Sequence, residues 1–303
     1  MTTQRRSRPE AAAATTVGPA EGMPRAAPSG TVLAERPVLV QLRGQRDTPP
    51  AAARTALLPP PRPTVDLEVA IPAYNEASRL PATLSRTVEF LREQPWSARV
   101  VVVDNGSSDG TAEIVRSFRA AMDGGVQVEL VGCAQPGKGA AVRRALLRSR
   151  SRFVGFFDAD LATPVETLSA VMEHLAAGAT AVVGSRHAPG ARFVQHQPAT
   201  RRLGGAAFRA MTRSLVTGVH DTQCGFKFFD RAALVPALVA CRTTGFAFDV
   251  ELLRHLQDAG AEIVEIPVAW SHGGGSSFSP LRDGMSAFRA VLQLQRVAAG
   301  SAS

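Results

Sequence analysis

The chain has 303 residues, of which 45% are hydrophobic and 20% charged, a composition typical of folded globular proteins and not of disordered ones. The formal net charge is +8, but residues 1–64 hold nine Arg against four Asp or Glu, so +5 lies there and +3 on the other 239 residues. A body this weakly basic does not indicate a nucleic-acid-binding protein, and three Cys with no paired spacing indicate neither a disulfide framework nor a zinc site.

Residues 1–64 are rich in Ala, Pro and Arg and have no sustained apolar period, which predicts a disordered, basic extension. Within it, TVLAERPVLVQL has the composition of a strand but no sheet to join. The N-terminus lacks the apolar segment of a secretory signal. The sequence also contains no run of about 18 apolar residues, the length that would predict a transmembrane helix. We therefore expect a cytoplasmic protein, and peripheral contact with the cytoplasmic face of a membrane stays open.

From Val65 onward, short apolar runs alternate with longer helix-like segments, which predicts a mostly parallel, doubly wound α/β sheet with both faces covered. The predicted strands are residues 67–72, 99–104, 126–132, 152–158 and 180–185. The helical segments between them include SSDGTAEIVRSFRAAM, with Ser and Asp as cap candidates, GKGAAVRRALLRS, and TPVETLSAVMEHLAAG, with Thr163 as the predicted cap.

The second half predicts a smaller α+β part added to this sheet. It contains helices near 203–217 and 247–259, a strand at 262–270, a Gly-Ser loop and a final helix near 282–298.

Each of the first four predicted strands ends in polar residues: IPAYNE, VVDNGSSDG, VGCAQPGKG and FFDADLATP. Any one of these ends is compatible with ordinary turn chemistry. In an open parallel sheet, however, ligands gather beyond the carboxyl ends of the strands. Four polar ends at one edge therefore predict a ligand-binding site.

Asp158 and Asp160 stand two residues apart after the fourth strand, so extended backbone would place both carboxylates on the same side. Such a pair raises its own pKa values unless a cation lies between its members. Hard cations such as Mg²⁺ or Mn²⁺ prefer carboxylate oxygens and often share substrate phosphates. The alternative is a solvated turn with a helix cap, but at this strand end we favour a metal site.

The chain has 32 Arg but only two Lys, Lys138 and Lys227, and both fall inside motifs. Neither a dinucleotide fingerprint nor a complete phosphate loop is present. Lys138, at a glycine-flanked helix start, could contact a phosphate or hold a neighbouring loop.

Taken together, VAIPAYNEASRL, VVVDNGSSDGT, GKGAAVR, FFDADLATP, GSR and DTQCGFKFF resemble an inverting glycosyltransferase of family 2 with the GT-A fold. The similarity is greatest to the polyprenyl-phosphate branch, especially dolichyl-phosphate β-glucosyltransferases. It implies a metal-dependent transfer of one hexose from a nucleotide sugar, with a nucleotide-sugar half at 65–185 and an acceptor-side half at 186–300.

The resemblance also implies roles for individual residues. Glu76 would contact the ribose, Asp104 the base, and Asp160 the Mg²⁺ or Mn²⁺ directly, with Asp158 binding both metal and nucleotide. The nucleotide-sugar loop would contain Pro72, Ala73, Tyr74, Asn75 and Glu76, with Lys138 nearby. The catalytic and acceptor-side residues would be Arg186, Asp221, Lys227 and Asp249.

Three positions depart from the family pattern. Many members have Asp where this chain has Asn105, mannosyl-phosphate relatives have a metal-touching Gln where it has Ala162, and a basic residue is replaced by Ser277. The second departure favours the glucosyl type, and the third weakens the acceptor assignment.

Several alternatives remain open from the sequence. UDP-glucose is the favoured donor, with GDP-mannose as the alternative, and a polyprenyl phosphate is the favoured acceptor. A hydroxyl acceptor would need Asp221 or Asp249 as a base. A nucleotide-binding regulatory domain is the non-enzyme alternative. Residues 201–215 would form either an interfacial helix that supplies arginines or a helix packed in the core.

Overall fold

The computed structural model describes residues 63–122, 124–194, 199–271 and 282–301. In chain order, the strands in these ranges are β1 (Leu67–Ala73), β2 (Ala98–Asp104), β3 (Gln127–Gly132), β4 (Phe153–Phe157), β5 (Ala181–Ser185), β6 (Arg192–Phe193), β7 (Phe226–Asp230), β8 (Ile263–Pro267) and β9 (Ala269–Trp270). Seven of them form one sheet in the order β3-β2-β1-β4-β7-β5-β8, and β6 pairs with β9 separately. Only β7 runs antiparallel to its neighbours in the large sheet.

Helices cover both faces of the large sheet. The helices are α1 (Leu80–Arg92), α2 (Thr111–Ala120), α3 (Lys138–Arg148), α4 (Leu168–Ala176), α5 (Ala199–Thr212), α6 (Arg231–Ala240), α7 (Phe248–Asp258) and α8 (Arg282–Ser301). One apolar cluster joins the sheet to α3, α5, α6, α7 and α8, and the other joins it to α1, α2 and α4. Because the inner strands of the sheet are covered on both faces, they need apolar residues at successive positions. The predicted α/β architecture is confirmed.

The five strands predicted in the first half are present, each within one residue of its predicted bounds. The predicted strand at 262–270 is divided at Val268 into β8 and β9, which belong to different sheets. Helix α5 starts before the predicted residue 203 and ends before 217.

Strand β7 was not predicted as a strand. Phe226, Phe228 and Phe229 are buried in it, but Lys227, its second residue, interrupts the apolar run. This strand enters the sheet between β4 and β5, so it changes an otherwise parallel sheet into a mixed one.

Two predicted helix starts were wrong. Thr163 does not cap α4, because a 3-10 turn at Val165–Thr167 comes first and no side chain caps it. The cap position of α2 is Gly110, whose preceding residue, Asp109, accepts from the Thr111 amide (3.0 Å).

The apolar side of α5 packs in the core. Phe208 is buried and contacts Phe288 of α8 edge-on, with ring centroids 5.4 Å apart. Leu215, just after the helix, is also buried. These contacts favour the core-packed alternative for this segment over the interfacial one.

Some predictions fall outside the described residues: the extension up to residue 62, its TVLAERPVLVQL segment and Ser277. Among the described helices, none has the length and apolar character needed to cross a membrane.

Candidate active site

The loops that follow β1 and β2 are tied to each other. Backbone amides donate to side chains across the two loops in four pairs: Asn75 to Ser107 (3.0 Å), Glu76 to Thr111 (2.9 Å), Ala77 to Asp109 (3.1 Å) and Ser108 to Asn75 (2.8 Å). Asn75 has φ of 55°, in the left-handed region that Asn tolerates better than most residues. The Asn75 side chain therefore shapes the loop, while the neighbouring Tyr74 is 51% exposed and can face a ligand.

Pro72, Ala73 and Asp104 lie at the carboxyl edge of the sheet. Pro72 and Ala73 end β1 and pair with the last two residues of β2, the second of which is Asp104. Asp104 Oδ1 accepts from the amide of Ser107 (3.0 Å), which forms a tight turn at the end of β2. The edge therefore presents this carboxylate beside the loop that contains Tyr74.

Asn105 joins the β2 loop to the loop that follows β3. Its Nδ2 donates to the carbonyl oxygens of Cys133 (3.2 Å) and Gln135 (2.7 Å), and its Oδ1 accepts from the amide of Gly137 (2.8 Å). An Asp at this position could accept but could not donate. The departure from the family pattern is thus explained by these contacts.

Lys138, the first residue of α3, forms an ion pair with Asp158, with Nζ 2.5 Å from Oδ1. Burial opposes its charge, but the carboxylates of Asp158 and Asp249 outweigh this effect and raise the pKa of Lys138. Gly137, just before it, has φ of 117°, and a side chain there would overlap the carbonyl oxygen of Thr244. The start of α3 is therefore packed against main chain.

Asp158 and Asp160 lie in a turn and not in extended backbone, so the geometric premise of the sequence analysis was wrong. Strand β4 ends at Phe157, and the amide of Leu161 donates to the carbonyl of Asp158 (3.2 Å). Leu161 has φ of 47°, an uncommon conformation for a non-glycine residue. Burial, followed by the charge of Asp158, raises the pKa of Asp160, so the two carboxylates still influence each other.

Glu76 faces the same turn. It pairs with Arg79 (2.5 Å), and burial, followed by the charges of Asp160 and Asp158, raises the pKa of Glu76. Three carboxylates therefore influence one another at this edge, with Arg79 and Lys138 as the neighbouring cations.

Gly225 packs directly against Asp158. The amide of Asp158 donates to the carbonyl of Gly225 (3.1 Å), and a side chain on Gly225 would overlap the Asp158 carboxylate. Residues predicted for the acceptor side therefore touch residues predicted for the donor side.

Both lysines of the chain lie over the ring of Phe156, with Nζ of Lys138 5.9 Å and that of Lys227 5.6 Å from its centroid. Lys227 is fully buried; its Nζ lies 2.8 Å from Oδ1 of Asp249 and donates to the carbonyl of Cys224. A buried charge needs such partners. Lys227 and Asp249 thus form an internal ion pair beneath the site.

Arg186 and Asp221 form a bidentate pair. Nε and Nη2 of Arg186 donate to the two Asp221 oxygens (2.7 and 2.9 Å), and the Arg186 amide donates to Oδ2 (3.0 Å). Burial opposes ionisation, but the Arg186 charge lowers the pKa of the fully buried Asp221 well below its usual range. The guanidinium also lies 5.8 Å from the centroid of Trp270.

The residues present fit a hard divalent cation that is shared with a ligand. Within the described ranges, no group of three or more His, Cys, Asp or Glu side chains is arranged to hold a metal alone. Asp160 and Asp158 supply the carboxylate oxygens that Mg²⁺ prefers, and Mg²⁺ is commonly bound by one or two carboxylates together with substrate phosphates.

Comparison with known proteins identifies the family. A family model described as glycosyl transferase family 2 matches residues 68–235. The chain belongs to glycosyltransferase family 2.

This family 2 chain is 31% identical to a dolichyl-phosphate beta-glucosyltransferase of Dictyostelium discoideum over 78% of its own length and 75% of the relative's. It is 30% identical to the Homo sapiens protein of the same name, over 81% and 78% of the two chains. Glucosyl-3-phosphoglycerate synthase from Mycobacterium tuberculosis, solved with Mg²⁺ and uridine-diphosphate, has the same fold, with a TM-score of 0.58 and 17% identity over 76% of this chain and 78% of that one. The expected GT-A fold is confirmed.

The structure brings most of the predicted family 2 site residues to one edge of the sheet. Sequence reasoning missed two neighbours, Gly225 against Asp158 and Trp270 against Arg186. The first stands inside DTQCGFKFF, so its position in the motif was visible, although its contact was not. Trp270 was predicted only as the end of the strand at 262–270, whereas it lies in β9, which pairs with β6 outside the main sheet.

Proposed function

We propose that this family 2 enzyme transfers glucose from UDP-glucose to a polyprenyl phosphate of the dolichyl type, with inversion at the anomeric carbon. The observation that carries the proposal is the meeting of the Asp158–Asp160 turn with the Arg186–Asp221 pair at one sheet edge. Asp158, Gly225 and Trp270 line one small cavity, and the Arg186 guanidinium lies 5.8 Å from the centroid of the Trp270 ring, so the two groups are neighbours. The names of the relatives support the acceptor, and their beta designation supports inversion.

On the donor side, exposed Tyr74 and Asp104 would contact the base, and Glu76 the ribose. The loop containing Pro72, Ala73 and Asn75 would support them. Solved complexes of a structurally similar synthase with UDP-glucose and with uridine-diphosphate support a uridine nucleotide.

Asp160 would hold Mg²⁺ or Mn²⁺, with Asp158 shared between the cation and the nucleotide. When bound, the cation neutralises charge on the leaving diphosphate. Lys138 lies against Asp158 and would add a positive charge on the same side. Complexes of the same synthase with Mg²⁺ and with Mn²⁺ support either ion.

On the acceptor side, an oxygen of the polyprenyl phosphate would form a bond to the anomeric carbon while the bond from that carbon to the UDP oxygen breaks. UDP leaves with the electron pair, and an ionised phosphate needs no base to remove a proton. Arg186 would orient this phosphate, since Arg is suited to phosphate oxygens.

The environments of Asp221 and Asp249 favour a phosphate acceptor over a hydroxyl. Both Asp221 oxygens accept from Arg186, and the pKa of Asp221 is lowered. Asp249 is paired with Lys227 and buried. Neither carboxylate is placed as a general base, so we assign Asp221 to positioning Arg186 and Lys227 with Asp249 to supporting the site from below.

The test is a transfer assay with UDP-glucose or GDP-mannose as donor and a polyprenyl phosphate or soluble alcohols as acceptor. We expect transfer from UDP-glucose to the lipid phosphate only with Mg²⁺ or Mn²⁺. Asp160→Ala should lower the rate by at least about 100-fold, since the leaving charge would lose its stabilisation. Asp258→Ala, which changes an exposed carboxylate on α7, is the matched control and should leave the rate unchanged.

Three outcomes would contradict parts of this proposal. Activity that survives EDTA would remove the metal, and transfer to alcohols alone would remove the lipid phosphate. A preference for GDP-mannose would replace the donor.

A further inference from the structure

Two glutamates outside the predicted site, Glu251, which is buried, and Glu265, which is partly buried, each accept hydrogen bonds from two consecutive backbone amides. Glu251 of α7 accepts from the amides of Arg242 (3.0 Å) and Thr243 (2.7 Å). Glu265 of β8 accepts from those of His220 (3.0 Å) and Asp221 (2.9 Å). Each carboxylate thus fixes a short segment of main chain, and charge-assisted bonds of this kind are about twice as strong as neutral ones.

The segment fixed by Glu251 supports the start of α3. The carbonyl of Thr244, the residue after the Glu251-bound amides, accepts from the amide of Ala140 (3.0 Å). A side chain on Gly139 would come within 2.5 Å of Phe248 Cβ, and one on Gly137 would overlap Thr244. The start of α3 therefore packs directly against the main chain of residues 244–245 and against Phe248 of α7.

Lys138 lies between these two glycines and reaches Asp158. Because the main chain on either side of Lys138 is in direct contact with residues 244–248, a shift of that segment would shift the lysine. The contacts run without a gap from Glu251, through the 242–245 segment and the start of α3, to Lys138.

The segment fixed by Glu265 supports the Arg186–Asp221 pair. Glu265 accepts from the amide of Asp221 itself, and its second oxygen lies 2.6 Å from Nδ1 of His220. The Asp221 side chain then fixes both the guanidinium and the amide of Arg186. Glu265 is therefore linked to Arg186 through a single residue, Asp221.

We propose that Glu251 and Glu265 are positioning residues for two basic side chains of the site, Glu251 for Lys138 on the donor side and Glu265 for Arg186 on the acceptor side. The identity of the two ligands, a uridine nucleotide on the donor side and a polyprenyl phosphate on the acceptor side, rests on the proposed function. Neither glutamate touches substrate; each acts through one cation, and the two supports are independent because they fix different segments.

The donor side is tested with UDP in the presence of Mg²⁺, measured by calorimetry on the full chain. Glu251→Gln keeps one acceptor oxygen but sets an amide donor against the second N–H. We expect UDP to bind roughly tenfold more weakly, as is typical when a supporting partner of a binding residue is lost. In a Lys138→Met background the same change should cost less than about twofold, because coupled residues are not additive.

The acceptor side is tested with the KM for polyprenyl phosphate. Glu265→Gln should raise that KM roughly tenfold and leave UDP binding unchanged. The effect should disappear in an Arg186→Met background and persist in a Lys138→Met background. Glu129→Gln is the control, because Glu129 is paired with Arg148 and lies in β3, the outermost strand on one side of the sheet. It should alter neither the KM for polyprenyl phosphate nor UDP binding.

Additive effects of Glu251→Gln and Lys138→Met on UDP binding would overturn the donor-side assignment. Equal effects of both glutamate variants on both ligands would overturn the independence of the two supports. If Glu251→Gln does not fold, Gly139→Ala tests the same contact from α3 and should weaken UDP binding only while Lys138 is present. A wild-type chain that binds no UDP contradicts the proposed function, whereas UDP binding unaffected by Glu251→Gln contradicts this inference alone.

Discussion

At the scale of single residues, hydrogen-bonding capacity explains why Asn and not Asp follows the end of β2. Asn105 donates to two carbonyl oxygens and accepts from one amide, so it holds the loop that leads to Lys138. The sequence marked this position only as a departure from a family pattern. Its role could not be predicted, because all three partners come from the loop after β3.

Asn105→Asp should destabilise the fold by about 1–3 kcal/mol, because a carboxylate would face two carbonyl oxygens that lose their donor. Denaturant unfolding measures this loss. Gln94→Glu is the matched control, since it removes one amide donor to the carbonyl of Phe90 away from the site, and it should cost less. An equal cost for the two variants would contradict the linking role of Asn105.

The Asp158–Asp160 pair shows what residue patterns can and cannot predict. Their neighbourhood was predictable, because strand ends at one edge of a parallel sheet must converge. Their local geometry was not, since the turn after Phe157 depends on the carbonyl of Gly225, which is distant in sequence. For the same reason, the amide-binding roles of Glu251 and Glu265 could not be predicted, because a glutamate that binds amides resembles any other glutamate in a sequence.

At the scale of elements, apolar runs predicted β1 to β5 well because buried parallel strands leave few other solutions. The pattern failed at β7, where the apolar run contains a buried lysine, Lys227, whose charge is stabilised by Asp249 and by the carbonyl of Cys224. β7 also requires a close approach to β4. Gly155 of β4 lies where a side chain would overlap the Phe228 ring and the carbonyl of Lys227.

Gly155→Ala should therefore push β7 away from β4 and destabilise the fold by about 1–3 kcal/mol or more, as overpacking does in a dense core. The melting temperature checks this expectation. Gly132→Ala at the end of β3 is the control, because a side chain there meets nothing within 4 Å. If Gly155→Ala and Gly132→Ala both melt at the wild-type temperature, β4 and β7 do not require this close approach.

At the scale of the whole molecule, the ion pair between the partly buried Arg186 and the buried Asp221 links stability to pH. The pKa of Asp221 is lowered in the folded state, whereas in the unfolded chain it is near the usual value of about 3.9. As pH falls below about 4, the unfolded chain therefore gains a proton that the folded chain does not. The stability that this pair contributes is complete above that pH and is lost on further acidification.

Asp221→Asn should lower the free energy of unfolding at neutral pH by about 1–3 kcal/mol, because it removes the charged partner of the partly buried Arg186. The difference from wild type should narrow below about pH 4, where wild type begins to lose this contribution. Denaturant unfolding at a series of pH values measures both. Asp258→Asn, at an exposed position, should show neither effect. If the difference in unfolding free energy between wild type and Asp221→Asn stays constant down to pH 2, the Arg186–Asp221 pair is not the source of this pH dependence.

The place of β7 in the sheet has a consequence for how the protein can be made. During synthesis, all donor-side residues up to Ser185 emerge before β7, yet β4 and β5 have no common neighbour until β7 is inserted between them. A nascent chain that stops there would expose one unpaired edge of β4 and both edges of β5, because β8 also comes later in the chain, and unpaired edges favour aggregation. Residues 65–185 are therefore not a portable module, and splitting or grafting the chain after Ser185 should yield insoluble fragments.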